Sequence, residues 1–339
     1  MKSQIIQIAQ IGCGYWGPNL LRNFSALKEC QVKYVVETNP DRRQFIEDNF
    51  PRSKPVAGLG IVLEDPAIEA VVIATPARTH FALAKQALAC GKHALVEKPL
   101  AMSVGEVDVL EALSRRRRLI LMAGHSFLFN PAVSYLKQLI AERQLGQIYY
   151  AYSQRLNLGV IRSDVNALWN LAPHDVSIFC HLFDSAPIRV TAQGTDYIQA
   201  DIEDVVFLQL EFPNRVRAHI QVSWLDPNKL RRLTIVGSRK MVVYDDIADD
   251  KITIYDKGIE CETAVNPFDQ ISAAAYRNRA GDILLPKIGF KEPLRIEAEH
   301  FLDCVRTGRT PLTNAAHARQ VIAVLAAAQE NLRASLQPA

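Results

Sequence analysis

The sequence predicts an α/β protein: an N-terminal Rossmann domain with a doubly wound parallel sheet (residues 1–125) and a C-terminal α+β domain with an antiparallel sheet (residues 126–339). In the first part, short runs rich in Val and Ile alternate with helical patterns, which is typical of parallel strands joined by crossover helices. After Pro131, strand-like runs follow one another with short turns, which favours an antiparallel sheet. A length of 339 residues also favours two domains.

The N-terminal strands are predicted from short runs of apolar, mostly β-branched residues bounded by Gly, Pro or polar residues. Their continuous apolar character indicates burial on both faces of the sheet. The predicted strands are Gln4–Ile11, Val32–Val36, Ala70–Ala74, His93–Val96 and Leu119–Ala123, and the predicted helices are Asn19–Leu27, Thr79–Ala89 and Val104–Arg115.

The second domain is predicted to contain a broad sheet. Ala218, Ile220 and Val222 fall at alternate positions of one run and would line one face. The predicted strands are Ile148–Leu156, Val190–Ile198, Val205–Phe212, Val216–Trp224, Leu230–Val236 and Met241–Tyr244, and the predicted helices are Pro131–Ala141, Glu297–Arg306 and Ala315–Leu332. Residues Ile271–Ile288 have little periodicity and are predicted to form a loop.

Composition argues against several classes of protein. Hydrophobic residues make up 49% of the chain and charged residues 22%, which is typical of a globular protein. The formal net charge of +3 does not indicate a nucleic-acid-binding protein, although it suits an anionic small molecule. The sequence has no signal-peptide pattern and no apolar run that could span a membrane. The six cysteines lack metal-binding spacing, so we expect a reduced, cytoplasmic protein with no metal site.

A glycine pattern follows the first predicted strand. Gly12, Gly14 and Gly17 form G-x-G-x-x-G between a strand and a helix. Gly12 would allow the tight turn, Gly14 the close approach of a pyrophosphate, and Gly17 the packing of helix on strand. Tyr15 and Trp16 occupy the variable positions, and we predict that they also contribute to cofactor binding.

An acidic residue follows the second predicted strand. Glu37 comes 20 positions after Gly17 (37 − 17), where a carboxylate accepts hydrogen bonds from the adenine ribose of NAD and repels the 2′-phosphate of NADP. Arg42 and Arg43 are near enough in sequence to weaken this preference. We therefore expect NAD as the cofactor, with NADP less favoured. The alternative is a glycine turn with a surface Glu.

Four further segments resemble the glucose-fructose oxidoreductase / inositol dehydrogenase family (Gfo/Idh/MocA). The combination of E-K-P with T-P-x-x-T-H at this distance is specific, and the resemblance covers nearly the whole chain. The segments are Ala74–His80, Glu97–Leu100, Gly124–Phe127 with Phe129–Pro131, and Trp169–Asp175.

The resemblance implies an enzyme that transfers hydride between a nicotinamide and a carbon bearing a hydroxyl, usually on a sugar or cyclitol. It implies an open antiparallel sheet that builds homodimers or homotetramers. Lys98 matches the catalytic lysine and His174 the catalytic histidine. Asn170 stands where the family often has Asp, so it can hydrogen-bond a sugar hydroxyl but cannot act as a base. The positions that match the family's cofactor surroundings are Thr75, Pro76, His80 and Glu97.

Alcohol oxidation is consistent with these residue types. The reaction needs a base near neutral pH, which suits the imidazole of His174, and a cation to stabilise the developing alkoxide, which suits Lys98. The alternatives are a solvated lysine for Lys98 and a helix cap for His174. His80 could simply begin a helix, and His125, a candidate substrate-binding residue, could be a buried and satisfied histidine.

A narrower likeness indicates the substrate. The segments Gly14–Phe24, Asn157–Asp175 and Ser223–Gly237 resemble a subgroup associated with oxidation of the 3-hydroxyl of UDP-N-acetylated sugars of the UDP-GlcNAc type, whose product feeds an aminotransferase. Arg162 is predicted to contact the substrate with Asp164, or a neighbouring subunit's cofactor; an Arg162–Asp164 salt bridge is the alternative. The competing functions are a dehydrogenase of a free sugar or inositol, a reductase, and a non-catalytic redox sensor.

Overall fold

The computed structural model of the chain describes residues 5–263 and 274–335. The chain divides into two compact units, which we call unit 1 (Met1–Asn130 and Lys291–Ala326) and unit 2 (Pro131–Phe290 and Ala327–Ala339). The predicted boundary assigned every residue after 125 to the second domain, whereas Lys291–Ala326 returns to unit 1. This return depends on apolar contacts between residues far apart in sequence, which a periodic pattern does not reveal.

Over the part of unit 1 that the structure describes, a parallel sheet has six strands in the order β3-β2-β1-β4-β5-β6. The strands are β1 (Ile6–Ile11), β2 (Cys30–Val36), β3 (Lys54–Val56), β4 (Ala70–Ile73), β5 (His93–Glu97) and β6 (Leu121–Gly124). This order confirms the predicted doubly wound fold, with its topological switch point between β1 and β4. The prediction lacks only the edge strand β3, whose three residues are too few to show a pattern.

Helices connect the strands of unit 1. They are α1 (Gly17–Ser25), α2 (Pro40–Asn49), α3 (Gly60–Glu64), α4 (His80–Ala89) and α5 (Val104–Arg117). The N-cap of α2 is Asn39, whose side chain accepts hydrogen bonds from the backbone N–H groups of Asp41 and Arg42. Because such a cap satisfies free backbone donors, α2 begins directly after the turn that follows β2.

The parallel strands of unit 1 end in register. Ile11 of β1 lies opposite both Val36 of β2 and Ile73 of β4, and Ile73 lies opposite Val96 of β5. The residues that follow or complete these strands are Gly12, Glu37, Ala74 and Glu97. The fold therefore collects the predicted cofactor residues at the carboxyl edge of the sheet, where open α/β sheets bind their ligands.

Unit 2 contains, over its described residues, a sheet of eight strands in the order β14-β13-β12-β11-β7-β10-β9-β8. Its helices are α6 (Pro131–Ala141) and α7 (Ala167–Phe183), and its strands are β7 (Ile148–Leu156), β8 (Arg189–Thr195), β9 (Val205–Glu211), β10 (Arg217–Ser223), β11 (Leu230–Gly237), β12 (Met241–Asp245), β13 (Ile252–Thr263) and β14 (Ala274–Leu284). The strand pairs are antiparallel as predicted, except that β7 and β10 are parallel. The crossover through α7 lets β8 run in the same direction as β7. Since β9 is antiparallel to β8 and β10 is antiparallel to β9, β10 is parallel to β7.

Two predictions for unit 2 differ from the structure. The loop predicted over Ile271–Ile288 is wrong for Ala274–Leu284, because β14 pairs with β13 through backbone hydrogen bonds that its weak apolar periodicity does not reveal. Residues 271–273 of that prediction lie outside the described residues. The prediction also lacks α7, which begins after Asn166, a cap that accepts a hydrogen bond from the backbone N–H of Trp169.

Two helices end the described chain, α8 (Pro293–Thr307) and α9 (Ala315–Ser335). The ring of Phe301 on α8 packs edge-to-face on Phe24 of α1, with 6.3 Å between ring centroids. This contact explains why the predicted helix Glu297–Arg306 belongs to unit 1. Over residues 5–263 and 274–335, no helix combines the length and the apolar character that a membrane span needs.

Candidate functional site

The turn after β1 carries the three glycines of the predicted cofactor loop. Gly12 has a φ of +90°, and a Cβ there would lie 2.7 Å from the carbonyl oxygen of Ala74. A Cβ at Gly17 would lie 2.9 Å from the carbonyl oxygen of Gly12. A Cβ at Gly14 would approach only Arg42 Nη1 among the described atoms, at 3.4 Å. Glycine is therefore required at positions 12 and 17 because a side chain there would clash with the protein's own backbone. Gly14 instead faces space that fits a pyrophosphate at the N-terminus of α1.

Gln10, which is not among the predicted site residues, holds this turn together. Its buried side-chain amide donates hydrogen bonds to the carbonyl oxygens of Gly12 at 2.9 Å and Gly17 at 3.0 Å. A polar residue that interrupts an apolar, buried strand was the signal that could have identified it.

Glu37 connects two turns at the edge of the sheet. Its Oε2 accepts a hydrogen bond from the backbone N–H of Cys13 at 2.9 Å, and its Oε1 accepts one from Asn39 at 3.0 Å. Each carboxylate oxygen can accept more than one hydrogen bond, so both can still receive ribose hydroxyls. Arg43 donates to the carbonyl oxygens of Glu37 and Thr38, and its guanidinium is thus held by the backbone.

His80 links the turn after β4 to the segment after β5. It is the first residue of α4, as the alternative interpretation expects, yet its ring is buried. Its Nε2 lies 2.8 Å from the carbonyl oxygen of Thr75, and its Nδ1 lies 2.7 Å from that of Pro99. Burial lowers the pKa of His80. The ring therefore holds the predicted cofactor residues Thr75 and Pro76 next to the Lys98–Pro99 segment.

Glu97 joins the glycine loop to the candidate lysine. Its Oε1 accepts a hydrogen bond from the indole Nε1 of Trp16 at 3.0 Å, and its Oε2 accepts one from the backbone N–H of Lys98 at 3.1 Å. Burial raises the pKa of Glu97 to about 7, although the charge of Lys98 opposes the shift. Tyr15 differs from Trp16, because its side chain is 95% exposed. Lys98 itself is half-buried and directly follows β5.

His125 lies in the interior of unit 1. Its ring makes an edge contact with His317 at 5.4 Å between centroids, and its buried Nδ1 has no hydrogen-bond partner among the described residues. Burial, with the charges of His317 and Lys98, lowers its pKa well below the ordinary value. This position matches the alternative of a buried histidine, although one ring nitrogen has no hydrogen-bond partner among the described residues. A contact between His125 and the substrate stays a prediction.

In unit 2, α7 carries the other two candidate catalytic residues. Asn170 and His174 are four residues apart on α7, so they share one face of the helix. His174 lies inside the helix, and the interpretation of it as a cap of a following helix is therefore wrong. The next residue, Asp175, accepts a hydrogen bond from Nε of Arg155 on β7 at 2.7 Å, and both side chains are buried. Arg155 is not among the predicted site residues.

The loop before α7 contains Arg162 and Asp164. The guanidinium of Arg162 binds both carboxylate oxygens of Asp164, at 2.8 and 2.7 Å, on an exposed segment. The salt bridge that was the alternative to substrate contact is thus present. A role of Arg162 and Asp164 in binding substrate stays a prediction.

Two family models match the chain. A family described as oxidoreductases with an NAD-binding Rossmann fold matches residues 6–125, and the GFO/IDH/MocA C-terminal domain matches residues 133–243. Together these two ranges cover more than half of the chain.

Characterised proteins resemble the chain along most of its length. The UDP-N-acetylglucosamine 3-dehydrogenase of Acidithiobacillus ferrooxidans is 25% identical over 328 residues, which cover 96% of this chain and 97% of that protein. The scyllo-inositol 2-dehydrogenase (NAD+) of Bacillus subtilis is 26% identical over 263 residues, which cover 74% of this chain and 71% of that protein.

Solved structures share the fold. The structure of the Acidithiobacillus ferrooxidans enzyme matches with a TM-score of 0.81 and 25% identity over 98% of this chain and 99% of that chain. A levoglucosan dehydrogenase in complex with NADH and levoglucosan matches with a TM-score of 0.82 over 98% of both chains, and at 20% identity it supports the fold alone.

Proposed function

The chain belongs to the Gfo/Idh/MocA oxidoreductase family, whose dehydrogenases act on CH–OH groups, and we propose that it oxidises the 3-hydroxyl of a UDP-N-acetylated sugar to a ketone. The observation that carries this substrate is the similarity along 96% of the chain to a UDP-N-acetylglucosamine 3-dehydrogenase. A 3-keto sugar is a carbonyl compound of the kind that an aminotransferase consumes, so we place such a reaction next.

We further propose NAD rather than NADP as the cofactor. The Rossmann domain fits a nicotinamide dinucleotide, because Gly14 leaves open space beside the start of α1. The carboxylate of Glu37 stands after β2, where it would accept ribose hydroxyls and repel a 2′-phosphate. Arg43, which could otherwise attract that phosphate, already donates to two backbone carbonyls. These contacts favour NAD.

Two side chains share the chemical work in this proposal. His174 takes the proton of the sugar hydroxyl, since an imidazole titrates near neutral pH. Lys98 supplies a positive charge that stabilises the alkoxide developing in this reaction. The nicotinamide ring, when bound, accepts the hydride from the carbon. Asn170, one helical turn before His174, orients a neighbouring hydroxyl without carrying charge.

We propose a homodimer or homotetramer built on the sheet of unit 2. Helix α7 contacts β7, β9 and β10 on one face of the sheet. The opposite face exposes Tyr150, Tyr152 and Phe207, and the two tyrosine rings stack. Such aromatic clusters are typical of protein interfaces. In light scattering, Tyr152→Asp should shift the protein towards the monomer, while the exposed Tyr197→Asp should not.

A substrate panel tests the proposed function. We expect the purified protein to reduce NAD with a UDP-N-acetylated sugar, and to do so at least about tenfold faster than with NADP or with the free sugar. Absorbance of NADH measures the rate. Reduction with inositol or a free sugar alone would favour the second dehydrogenase function, which the Bacillus subtilis relative makes the main competitor. Binding of NAD without any NADH formation would favour a redox sensor.

A further inference from the structure

An ion pair is buried directly beneath the helix that carries His174. Nε of Arg155 donates to Oδ2 of Asp175 at 2.7 Å, and Nη2 donates to Oδ1 at 3.4 Å. The side chains are only 6% and 4% exposed. Burial would lower the pKa of Arg155, but the charge and hydrogen bonds of Asp175 raise it above the ordinary value. The interior of unit 2 therefore holds two full charges that neutralise each other.

The pair connects the sheet to α7. Arg155 is the eighth residue of β7, and its register partner on the neighbouring strand β10 is Val222, which is buried. Asp175 follows His174 immediately on α7. Because adjacent residues of a helix point about 100° apart, a helix fixed at Asp175 also has the direction of the His174 side chain fixed.

Other polar and charged groups lie near this pair. The neutral hydroxyl of Tyr244 on β12 donates to Asp246 at 2.8 Å, and after burial and Asp175 the charge of Asp246 also acts on the pKa of Arg155 and raises it. Arg231 on β11 in turn binds Asp246 at 3.5 Å. Further charged or titratable groups on α7 and on the elements packed against it include Lys137 on α6, His181 and Asp184 at the end of α7, Glu203 and Asp204 before β9, Glu211 on β9, and Arg217 and His219 on β10.

A purely structural role explains this pair poorly. Taking two charges out of water costs several kcal/mol for each ion, and well-packed apolar residues are often as stable or more stable at such positions. The pair occurs next to a candidate base rather than elsewhere in the apolar core. Charges within one or two turns of a histidine shift its proton affinity, because the interior screens them weakly.

We propose that Arg155 and Asp175 are positioning residues for His174: together they orient its helix and keep the local charge at zero. The proposal rests on the proposed function for the role of His174 as the base. Each half of the pair acts on the imidazole with the opposite sign. Arg155 alone would disfavour the protonated imidazole, and Asp175 alone would favour it.

The opposite signs supply the test. Asp175→Asn leaves the positive charge, so the acidic midpoint of the pH–rate profile should move to lower pH by about one unit. Arg155→Met leaves the negative charge, so the midpoint should move to higher pH by about as much. A purely structural role would lower turnover in both variants without moving the midpoint in two directions. The proposal would be overturned if the midpoints of the two variants did not change from that of the wild type, or if both moved in the same direction.

Two further measurements make every outcome decisive. Histidine NMR titration of the full chain, with the His174 signal assigned by His174→Asn, should show the same opposite shifts even if no sugar is turned over. Failure of the proposed function is thereby separated from failure of this inference. If neither single variant folds, the double variant Arg155→Met with Asp175→Leu tests the proposal instead, because it removes both charges and leaves no unpaired one in the interior. A folded double variant with wild-type turnover overturns the proposal. A loss of about tenfold or more in kcat with little change in the KM of the sugar supports it, because a general structural defect would also weaken substrate binding.

Discussion

Units 1 and 2 both bury carboxyl groups next to their candidate catalytic residues, but the environments of these groups differ. In unit 1, Glu297 on α8 is completely buried, and neither of its oxygens has a hydrogen-bond partner among the described residues. Burial, and then the charge of Glu97, raise the pKa of Glu297 well above the ordinary value. In unit 2, Asp175 is almost as buried, but it binds the guanidinium of Arg155.

The difference teaches that burial alone does not decide whether a side chain is charged. A buried carboxyl group without hydrogen-bond donors becomes neutral, because keeping its proton costs less free energy than removing the charged form from water. A carboxylate with a guanidinium partner stays ionised in the same apolar surroundings. In unit 1 the carboxyl group of Glu297, near Glu97, therefore favours its neutral form, whereas unit 2 holds the compensated pair of Arg155 and Asp175. The following predictions test this contrast.

The largest expected effect comes from breaking the pair of unit 2. Asp175→Asn removes the carboxylate that Arg155 binds and leaves a guanidinium in the interior, so the free energy of unfolding should fall by about 3–5 kcal/mol. Urea unfolding followed by circular dichroism measures the loss. Asp164→Asn is the matched control, because its pair with Arg162 is exposed and should contribute less than about 1 kcal/mol. Equal losses would break the comparison.

The next effect concerns the cation of unit 1. Lys98→Ala should lower turnover by about a hundredfold or more, which corresponds to roughly 2.7 kcal/mol of transition-state stabilisation. NAD binding, measured by calorimetry, should change little, because the glycine loop is intact. Lys85→Ala, on the exposed side of α4, is the control and should behave as the wild type. Near-normal turnover in Lys98→Ala would remove this residue from the mechanism.

Glu297→Gln tests the neutral carboxyl of unit 1. The folded pKa of Glu297 lies above its unfolded value, so the wild type loses stability as pH rises above the ordinary carboxyl range. The variant escapes this loss, so its free energy of unfolding should rise relative to that of the wild type as pH increases above the ordinary carboxyl range, by up to about 1.4 kcal/mol per pH unit until the folded pKa of Glu297 is reached. Thermal unfolding at a series of pH values measures the gain.

The matched control for Glu297→Gln is Glu299→Gln on the same helix. Burial acts to raise the pKa of Glu299, but hydrogen bonds from Lys291 and Arg295 lower it overall. The stability that Glu299 contributes is therefore fully present above the ordinary carboxyl range. As pH rises above that range, Glu299→Gln should gain no stability relative to the wild type. If Glu297→Gln also showed a constant difference from the wild type, Glu297 would be ionised and the contrast between the units would disappear.

The smallest expected effect lies on the acidic side. Burial, with the charges of His317 and Lys98, lowers the pKa of His125. Stability from this neutral ring is present above about pH 6.5 and is lost as pH falls towards its folded pKa. Between pH 6.5 and 5.5 the free energy of unfolding of His125→Gln should therefore fall less than that of the wild type, by up to about 1 kcal/mol. If the stability of the two proteins changed equally with pH in thermal unfolding, protonation of His125 would not destabilise the folded state.

Local motifs made the Rossmann part of the chain predictable. Gly12, Gly14 and Glu37 lie directly after strands, and the parallel register of β1, β2 and β4 brings such positions together in any doubly wound sheet. The prediction of the fold class and of these positions required only strand order and turn chemistry. The roles of the cofactor and catalytic residues remain predictions.

The contacts of polar residues inside apolar patterns were not predictable in the same way. Gln10 and Glu297 stand where periodicity expects an apolar residue, and only the packed structure shows what surrounds them. Arg155 and Asp175 come from a strand and a helix twenty positions apart, so no local pattern indicates their contact. The missed strand β14 has the same explanation, because its partner β13 defines it rather than its own sequence.

Trp16 gives the glycine loop an optical reporter. The chain has three tryptophans, and Trp169 and Trp224 both belong to unit 2, so Trp16 is the single indole of unit 1. Its ring is 41% exposed, and its N–H donates to Glu97 at the end of β5. With phenylalanine at positions 169 and 224, the remaining fluorescence would originate from this loop alone. Quenching or a colour shift of that emission would then report ligand arrival at the loop in real time.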